Sequence, residues 1–379
     1  MTIYTVKPGD NIDSIALSYG IQADSIIYNN QLVYPYRLAI GQALLLSTGS
    51  SGTNRRTIVS NGYAYPFINR YNLTQTLPYL TDLSVFSYGF TIDGELIPPA
   101  VDDTWMIALA KEYNTAPILT LTPFGPDGQF NNYLISVIVN DMAVQQQLIN
   151  NIMSTIYAKG FEGVDIDFEY ILAEDKYQFV DFVINVRNAV NAAGYPVSVA
   201  LAPKTSDNQV GLLYEGKDYA LLGEAADNVL LMTYEWGYTY GPPMAVAPLN
   251  KVREVVEYAV TKIPVNKINL GIPNYGYDWP LPYERGITKA RTIGNIEAVQ
   301  IAINNNAVIE FDQIAMSPYF TYNKDGISHE VWFEDVRSLQ AKFALLAEYN
   351  LRGVGYWQIM QLFRANWLLL ADTFYLLKK

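Results

Sequence analysis

Residues 161–170 of the chain read Phe161-Glu162-Gly163-Val164-Asp165-Ile166-Asp167-Phe168-Glu169-Tyr170. Three of its acidic residues, Asp165, Asp167 and Glu169, occupy alternate positions with apolar residues between them. Because successive side chains of a strand point to opposite faces, this spacing predicts one acidic face and one apolar face. The apolar face is expected to pack against helices, which leaves the three acids inside a closed sheet.

Seven further apolar runs share the same context, since each is followed by a loop and most by a helical pattern. The eight runs are Gly62 to Ile68, Leu83 to Phe90, Pro117 to Leu121, Gly163 to Glu169, Val197 to Ala202, Asn228 to Tyr234, Ile268 to Pro273, and Gly353 to Trp357. The clearest helical patterns span Val144 to Tyr157, Tyr177 to Ala193 and Val252 to Thr261. This alternation predicts a parallel sheet, and eight units predict an α/β fold of the (β/α)8 TIM barrel type.

The interval between the seventh and eighth runs, about residues 276–332, is too long for an ordinary connection. It contains patterns of its own at Ile293 to Asn304 and Ile309 to Phe320. We therefore expect a small α+β insertion within a barrel domain that spans residues 58–379. Active sites of such barrels lie at the carboxyl ends of the strands, so residues at those positions are candidates for function.

The first 57 residues predict a separate small module and a linker. Residues 48–57 are rich in glycine and serine and lack apolar anchors, which is typical of a flexible linker. Residues 1–47 predict the order strand, helix, helix, strand. The first strand spans Ile3 to Val6, and Asp10 or Asn11 caps a helix. Its buried face carries Ile12, Ile15, Ala16 and Tyr19, and Gly20 ends it. A second helix starts at Asp24, and Gln42 to Leu46 form the last strand.

The composition excludes several classes of function. The net charge of -12 disfavours nucleic acid as a partner, because an acidic chain repels phosphates. The chain has no cysteine and one histidine, His329, which excludes disulfides, thiolate chemistry and multi-histidine metal sites. We expect no membrane span, since no long uncharged apolar segment occurs. The amino terminus, Met1 to Tyr4, shows no signal-peptide pattern.

Carboxylates are therefore the main source of acid-base chemistry. Burying Asp165, Asp167 and Glu169 together is costly, and crowding should raise the pKa of at least one of them. A carboxyl group that stays neutral in this way can donate a proton near neutral pH. Two alternatives remain at this point, a solvent-facing acidic strand edge and a site for Mg²⁺ or Ca²⁺.

The amino-terminal module resembles a LysM domain. The matching residues are Tyr4-Thr5-Val6, Pro8-Gly9-Asp10, Ile15-Ala16, Tyr19-Gly20, Asn29-Asn30 and Gly41-Gln42-Ala43-Leu44. The resemblance implies binding of N-acetylglucosamine glycans such as peptidoglycan or chitin. It implies a groove formed by Gly9, Asp10, Asn11, Asn30, Gln31 and Leu32. The alternative is that these residues only form turns and caps.

The barrel resembles glycoside hydrolase family 18, the chitinase-like family. Residues 162–169 are similar to its Asp-x-x-Asp-x-Asp-x-Glu signature, with Glu162 in place of the first Asp. Three further strand ends agree: Met232-Thr233-Tyr234-Glu235, where the family usually has Asp in place of Glu235, Gly271-Ile272-Pro273-Asn274-Tyr275-Gly276, and Gly353-Val354-Gly355-Tyr356-Trp357. Residues 120–124 lack the Ser-x-Gly-Gly of many members, which implies a reshaped sugar site.

This resemblance implies retaining hydrolysis in which the N-acetyl group of the substrate is the nucleophile, without cofactor or metal. Mapped onto the motifs, Glu169 is the proton donor, Asp167 orients the acetamido group, Asp165 modulates Asp167, and Tyr234 donates its hydroxyl. The implied substrate-binding residues are Trp357, Glu235, Tyr275, Asn274, Trp236 and Tyr170. For Tyr234 and Trp357 the alternative is an ordinary core aromatic.

The order of the modules is similar to that of bacterial spore glycosidases that degrade cortex peptidoglycan during germination. This predicts a monomeric N-acetylglucosaminidase, located in the spore or at the cell wall, whose partners are peptidoglycan or chitin-like glycans. The alternatives are a chitinase, a non-catalytic glycan-binding lectin, which usually lacks the donor Glu169, and a spore-coat protein.

Overall fold

A computed structural model describes residues 1–49, 55–126 and 128–379, so residues 50–54 of the predicted linker lie outside the described residues. The strands are β1 Thr2–Thr5, β2 Ala43–Leu46, β3 Thr57–Ala64, β4 Asp82–Phe90, β5 Leu96–Ile97, β6 Ala116–Leu121, β7 Val164–Ile166, β8 Val197–Leu201, β9 Asn228–Leu231, β10 Ile268–Pro273, β11 Gly276–Pro280, β12 Arg291–Ile293, β13 Glu310–Asp312, β14 Ser317–Lys324, β15 Ile327–Trp332, β16 Gly353–Trp357 and β17 Tyr375–Leu376. The helices are α1 Ile12–Tyr19, α2 Ala23–Asn29, α3 Arg70–Thr76, α4 Thr104–Glu112, α5 Tyr133–Asn140, α6 Met142–Lys159, α7 Lys176–Ala192, α8 Tyr219–Ala225, α9 Leu249–Ala259, α10 Asn295–Asn304, α11 Val336–Glu348 and α12 Arg364–Thr373.

Parallel pairing closes a barrel in the order β3-β4-β6-β7-β8-β9-β10-β16, and β16 returns to β3. Helices follow the strands and cover the outside, as the alternating pattern predicted. The prediction of a (β/α)8 barrel is confirmed. The carboxyl ends of the strands consequently meet on one side of the molecule, where the candidate residues were expected.

The first barrel strand lies earlier in the chain than predicted, at Thr57–Ala64 instead of Gly62 to Ile68. The prediction from apolar residues missed the start of this strand because β3 contains polar residues that are buried or partly buried within the barrel domain. The Asn61 side-chain amide donates to the Ser84 hydroxyl at 3.0 Å, whereas the Ser60 hydroxyl is buried without a hydrogen-bond partner. Polar side chains satisfied inside a barrel cannot be recognised from hydrophobic periodicity.

The fourth strand separates acidic and apolar side chains as predicted. Val164, Ile166 and Phe168 are fully buried on the outer face. The Phe168 ring packs on Phe179 and Phe182 of α7 at centroid distances of 5.8 and 5.6 Å. The strand itself ends at Ile166, so Asp167 and Glu169 continue its direction in the loop that follows. The sixth strand likewise ends at Leu231, ahead of Tyr234.

An α+β subdomain lies between the seventh and eighth barrel strands, as predicted. Its antiparallel sheet has the order β12-β11-β15-β14-β13, and α10 packs against it. Ala298, Phe320 and Val331 are fully buried in its separate core. This subdomain follows β10 directly, so β11 places its first residues beside the barrel opening.

The amino-terminal module has the predicted order of strand, helix, helix and strand, with β1 and β2 antiparallel. Asn11 caps α1 by accepting a hydrogen bond from the Ser14 amide at 2.9 Å, and Gly20 ends the helix with φ of 64°. The prediction that Tyr19 belongs to the buried face is wrong. Its side chain is exposed, and its ring lies edge-on to Tyr4 at 5.7 Å.

The small module is docked onto the barrel and its insertion. The Ile309 amide donates to the Ile40 carbonyl at 2.9 Å, and the Arg364 guanidinium donates to the Tyr28 carbonyl at 2.9 Å. At Gly41, φ is +82°, and a Cβ atom would lie 1.8 Å from the Ile309 carbonyl oxygen. Only glycine fits this contact, which fixes the orientation of the module.

None of the helices in the described parts of the chain combines the length and the apolar character needed to cross a membrane.

Candidate active site

A cleft of about 610 Å³ opens at the carboxyl ends of the barrel strands. Asp167, Glu169, Tyr234 and Glu235 line it, so loops that follow the fourth and sixth strands supply its polar groups. The rest of the wall is largely aromatic, from Tyr63, Tyr65, Phe86, Phe124, Phe130, Tyr170, Tyr214, Trp236, Tyr238 and Trp357. Flat apolar rings around a few polar groups suit a sugar ring, which has apolar faces and polar edges.

Asp165 lies beneath the cleft with 1% of its surface exposed. Its carboxylate accepts hydrogen bonds from the Tyr63 hydroxyl at 2.8 Å and from the Ser198 hydroxyl at 2.5 Å. Burial raises the pKa of Asp165 to about 6, although the two hydroxyl groups favour the charged form and act against this rise. Asp165 is thus a fixed, fully engaged acid that cannot contact a substrate directly.

Asp167 is buried above Asp165, and its Oδ1 atom has no hydrogen-bond partner. Burial raises the pKa of Asp167 well above its ordinary value, the charges of Glu169 and Asp165 raise it further, and the Lys217 ammonium acts in the opposite direction. An unpaired buried carboxyl oxygen is costly. At the wall of a cleft, such an atom is a ready acceptor for a donor group of a ligand.

Glu169 is partly exposed at the cleft wall. Burial raises the pKa of its carboxyl group, and the Lys217 ammonium partly opposes this effect. A carboxyl group with a raised pKa holds its proton closer to neutral pH, which is the property that a general acid requires. Glu169, with its carboxyl group open to the cleft, is therefore the residue of this strand best suited to proton transfer.

Tyr234 is buried at the edge of the cleft, next to the acids. Burial raises the pKa of its hydroxyl, and the charges of Asp167 and Glu169 raise it further, so the group stays a neutral donor. The ring passes close to β10, where a Cβ atom on Gly271 would lie 2.9 Å from it and 2.2 Å from the Leu231 carbonyl oxygen. The glycine of the seventh strand thus makes room for the tyrosine of the sixth.

Glu235 faces the cleft with φ of 67°, and two phenols hold its carboxylate. It accepts hydrogen bonds from the Tyr275 hydroxyl and from the Tyr277 hydroxyl, the latter at 2.9 Å. Glu235 is exposed to the cleft. Desolvation by the cleft walls raises the pKa of its carboxyl group, and the hydrogen bonds from the two phenols lower it. Tyr275 is buried and does not line the cleft, so it acts by orienting Glu235.

Trp357, at the end of β16, lines the cleft with its ring. Its ring lies 4.8 Å from Phe86 and 5.8 Å from Tyr63, in edge-to-face arrangements. Trp236 and Tyr170 also line the cleft, and Tyr170 is 37% exposed. These three rings are accessible to a ligand and remain predicted substrate-binding residues.

The prediction that Asn274 contacts the substrate is wrong. Asn274 is buried, and its side-chain amide donates to the carbonyls of Gln358 at 3.1 Å and Gln361 at 2.8 Å. It does not line the cleft. The residue instead holds the loop that follows Trp357, because its side chain turns toward the neighbouring strand β16.

Part of the predicted glycan groove of the small module is also wrong. Asn30 is buried, and its amide exchanges two hydrogen bonds with the backbone of Leu45, at 2.7 and 3.1 Å. Leu32 is buried in the core of the module. Gln31 faces the barrel, where its side-chain oxygen accepts a hydrogen bond from the Arg364 amide at 2.6 Å. Docking therefore commits this loop to internal contacts.

The first loop of the module remains accessible. Gly9 and Asn11 are exposed, and the Asp10 carboxylate accepts hydrogen bonds from the Tyr4 hydroxyl and the Lys7 amide, both at 2.7 Å. These contacts are those of a turn and a helix cap, and the exposed edge of the loop stays free for a ligand. The glycan-binding role of Gly9, Asp10 and Asn11 stays a prediction.

Four residues around the acids were not predicted from the sequence: Tyr63, Ser198, Lys217 and Tyr277. Ser198 had a weak signal, since it is the single hydroxyl residue within the apolar run Val197 to Ala202. The other three had no signal, because they reach the site from elements distant in sequence. Among the described residues, no group of three acidic or histidine side chains is arranged to hold a metal ion.

Residues 121–361 match the family model described as glycosyl hydrolases family 18. The chain belongs to this family. Residues 4–47 match the LysM domain model. Both resemblances seen in the sequence are thereby confirmed, and membership of the family makes the chain a glycoside hydrolase.

Relatives within the family extend over the whole chain. The "Cortical fragment-lytic enzyme" of Bacillus subtilis (strain 168) is 41% identical, covering 100% of this chain and 99% of that protein. The crystal structure of the Bacillus megaterium QM B1551 spore cortex-lytic enzyme SleL is 34% identical with a TM-score of 0.93, covering 100% and 99% of the two chains. The structure of a chitinase from Chromobacterium violaceum, 23% identical with a TM-score of 0.77 over 83% of this chain and 98% of that one, shares the fold.

Proposed function

We propose that the chain is an N-acetylglucosaminidase that hydrolyses β-1,4-linked N-acetylglucosamine glycans with retention, acting on peptidoglycan fragments of the spore cortex. The observation that carries the proposal is the pair of acids at the cleft wall. Glu169 is open to the cleft with a raised pKa, and Asp167 presents an unpaired buried oxygen next to it. The names of the full-length relatives support the choice of cortex fragments as substrate.

In the first step, the Glu169 carboxyl group donates its proton to the glycosidic oxygen. The bond from that oxygen to the anomeric carbon breaks, while the carbonyl oxygen of the substrate's own acetamido group bonds to the same carbon. This is the substrate-assisted route that the family uses instead of a carboxylate nucleophile. The intermediate is a bicyclic oxazolinium ion, and the leaving chain departs as a neutral alcohol.

Three side chains position the acetamido group for this attack. The free Oδ1 atom of Asp167 accepts its N–H, and the negative charge of Asp167 stabilises the oxazolinium ion. The Tyr234 hydroxyl donates to the acetamido oxygen. Asp165 lies behind Asp167, and hydrogen bonds from the Tyr63 and Ser198 hydroxyls hold its carboxylate in place.

In the second step, the Glu169 carboxylate accepts a proton from water, which attacks the anomeric carbon from the face that the leaving group vacated. The bond to the acetamido oxygen breaks, and the product keeps the original configuration. Trp357 supplies the apolar surface beneath the reacting sugar, while Glu235, fixed by its two phenols, binds a sugar hydroxyl. The accessible loop of the LysM module, Gly9 to Asn11, would hold a neighbouring part of the glycan and retain the enzyme on the spore or cell wall.

The decisive variant is Glu169→Gln, which preserves the size of the side chain and removes the transferable proton. We expect hydrolysis of cortex fragments to fall by at least about 10³-fold with unchanged thermal unfolding and glycan binding. Glu162→Gln is the matched control, because Glu162 lies on the same segment but pairs with Lys111 at 3.7 Å away from the cleft. Equal rates of product release from Glu169→Gln and wild type would refute the assignment.

Mass spectrometry of digests identifies the bond that is cut. Cortex fragments that acquire a reducing-end N-acetylglucosamine support the N-acetylglucosaminidase activity, whereas efficient cleavage of chitin oligomers alone indicates a chitinase. A fully de-N-acetylated glycan should resist hydrolysis, and a thiazoline analogue of N-acetylglucosamine should inhibit. Rapid cleavage of the de-N-acetylated glycan would contradict substrate assistance.

A further inference from the structure

A buried lysine lies beneath the two acids of the cleft wall. Lys217 belongs to the loop between β8 and α8, and only 1% of its surface is exposed. Its ammonium group donates a hydrogen bond to the Ala200 carbonyl at 3.1 Å. Burying an ammonium group is unfavourable unless an opposite charge lies nearby. We therefore expect anionic groups close to Lys217.

The backbone register places Lys217 at the level of Asp167. Val199 of β8 pairs with Ile166 of β7, so the next residues of the two strands, Ala200 and Asp167, are also adjacent. The Lys217 ammonium, bound to the Ala200 carbonyl, consequently lies under the acid pair. Its electrostatic interactions are with Asp167 and Glu169.

The loop that carries Lys217 is fixed on both sides. The Lys204 ammonium donates to the Lys217 carbonyl at 2.8 Å and to the Tyr214 carbonyl at 3.2 Å. On the other side, Gly216 packs on the segment that follows Glu169, where a Cβ atom would lie 2.2 Å from the Ile171 carbonyl oxygen. The two loops are thus locked together, and the ammonium group keeps its place relative to the acids.

The charges around this group come from several elements. The charge of Asp165 acts on Asp167, and the Tyr63 hydroxyl binds Asp165. The charges of Asp167 and Glu169 act on Tyr234, and that of Glu169 acts on Glu235, both in the loop after the sixth strand. Lys204 interacts instead with Lys176, Asp207, Asp218 and Lys262. Lys217 is therefore the cation that faces the acid pair. Burial lowers the pKa of Lys217 to about 8 against the opposing effect of the two acids, so the group is charged at neutral pH.

We infer that Lys217 is a positioning residue whose fixed positive charge keeps Asp167 ionised beside Glu169. The inference rests on the proposed roles of these two acids. Without the cation, burial would favour the neutral form of both, and Asp167 could not stabilise a positively charged intermediate. Lys217 itself does not line the cleft, so it acts through the acids and not on the glycan.

The test is the pH dependence of kcat/KM for a soluble N-acetylglucosamine glycan. An opposite charge within about 4–6 Å lowers the pKa of a carboxyl group by about 1–3 units. In Lys217→Met, loss of that charge raises the pKa of Asp167 and Glu169. The acidic limb, which follows ionisation of Asp167, and the alkaline limb, which follows deprotonation of Glu169, should both move upward by about one pH unit or more.

Two controls separate this effect from a structural one. Lys217→Arg keeps the charge and should retain the wild-type pH profile, even if its greater size lowers the rate. Lys262→Met removes the same unit of charge at the surface, where Lys262 pairs with Asp207 at 2.7 Å, and should also leave the profile in place. A structural role alone would lower the rate in Lys217→Met without displacing either limb.

Lys217→Gln covers the case in which the methionine variant does not fold, because its amide can still donate to the Ala200 carbonyl. A folded neutral variant with the wild-type pH profile overturns the inference. Failure of this inference can be distinguished from failure of the proposed function. If Glu169→Gln remains active, the catalytic assignment fails first, whereas an inactive Glu169→Gln together with an unshifted Lys217→Gln profile refutes the role of Lys217 alone.

Discussion

Replacing Asp165 by asparagine should stabilise the folded chain at neutral pH. The carboxyl group is buried, and its pKa rises from 3.8 to about 6 on folding. A shift of about two units corresponds to ~3 kcal/mol that folding loses when the ionised group is buried at pH 7. Asparagine carries no charge and can still accept from the Tyr63 hydroxyl and donate to the Ser198 hydroxyl. We therefore expect Asp165→Asn to raise the free energy of unfolding by about 1–3 kcal/mol at pH 7.5.

The sign of the effect fixes its pH window. Below pH 3.8 the carboxyl group is neutral in both the folded and the unfolded chain, so the wild type suffers no penalty. Between pH 3.8 and about 6 the unfolded chain ionises first, and the stability of the wild type falls. Above pH 6 the penalty is constant. The advantage of Asp165→Asn should accordingly grow from near zero at pH 4 to its full value at pH 7.

Urea unfolding followed by tryptophan fluorescence at pH 4.0, 5.5 and 7.5 measures this difference. Tyr63→Phe is a control of opposite sign, because it removes a donor that favours the ionised carboxylate. It should cost about 1–3 kcal/mol at pH 7.5 and less at pH 4. A stability difference between Asp165→Asn and wild type that does not change with pH would refute the reasoning.

Two other variants test the site and the docking of the modules. Tyr234→Phe should lower kcat by about 10²-fold with little change in KM or melting temperature, because one donor to the acetamido oxygen is lost at the transition state; a large rise in KM alone would argue against this role. Gly41→Ala should destabilise the chain by about 2 kcal/mol or more, since its Cβ would collide with the Ile309 carbonyl oxygen. Gly9→Ala is the control, because Gly9 has a similar φ of +86° but no atom within 4 Å of an added Cβ, and it should cost only about 1 kcal/mol. Equal losses of thermal stability in the two variants would contradict the importance of the contact between Gly41 and Ile309.

The shared face of the three acids could be predicted from local sequence because strand geometry is periodic. The spacing of Asp165, Asp167 and Glu169 puts them on one face in any extended segment, and Val164, Ile166 and Phe168 then require a packed face opposite. The eight repeated runs could be recognised for the same reason. Even here the boundary of the first strand was missed, because Asn61 finds a hydrogen-bond partner, Ser84, inside the barrel that hydropathy does not reveal.

The direction of single side chains after a strand could not be predicted in the same way. Asn274 shares a motif with Tyr275, yet its amide binds backbone carbonyls of the neighbouring loop. Asn30, Gln31 and Leu32 belong to the groove that the LysM resemblance implies, but Asn30 and Leu32 are buried within the module, and Gln31 binds the first residue of α12. In each case the deciding partner lies far away in sequence.

The class of the fold, the order of the modules and the candidate acids could be predicted from the amino-acid sequence, because all three depend on periodicity and local spacing. The electrostatic setting of those acids depends on the three-dimensional fold. Tyr63, Ser198 and Lys217 converge on them from three other parts of the barrel, and whether a buried carboxyl group holds its proton depends on such through-space neighbours, which no local pattern encodes.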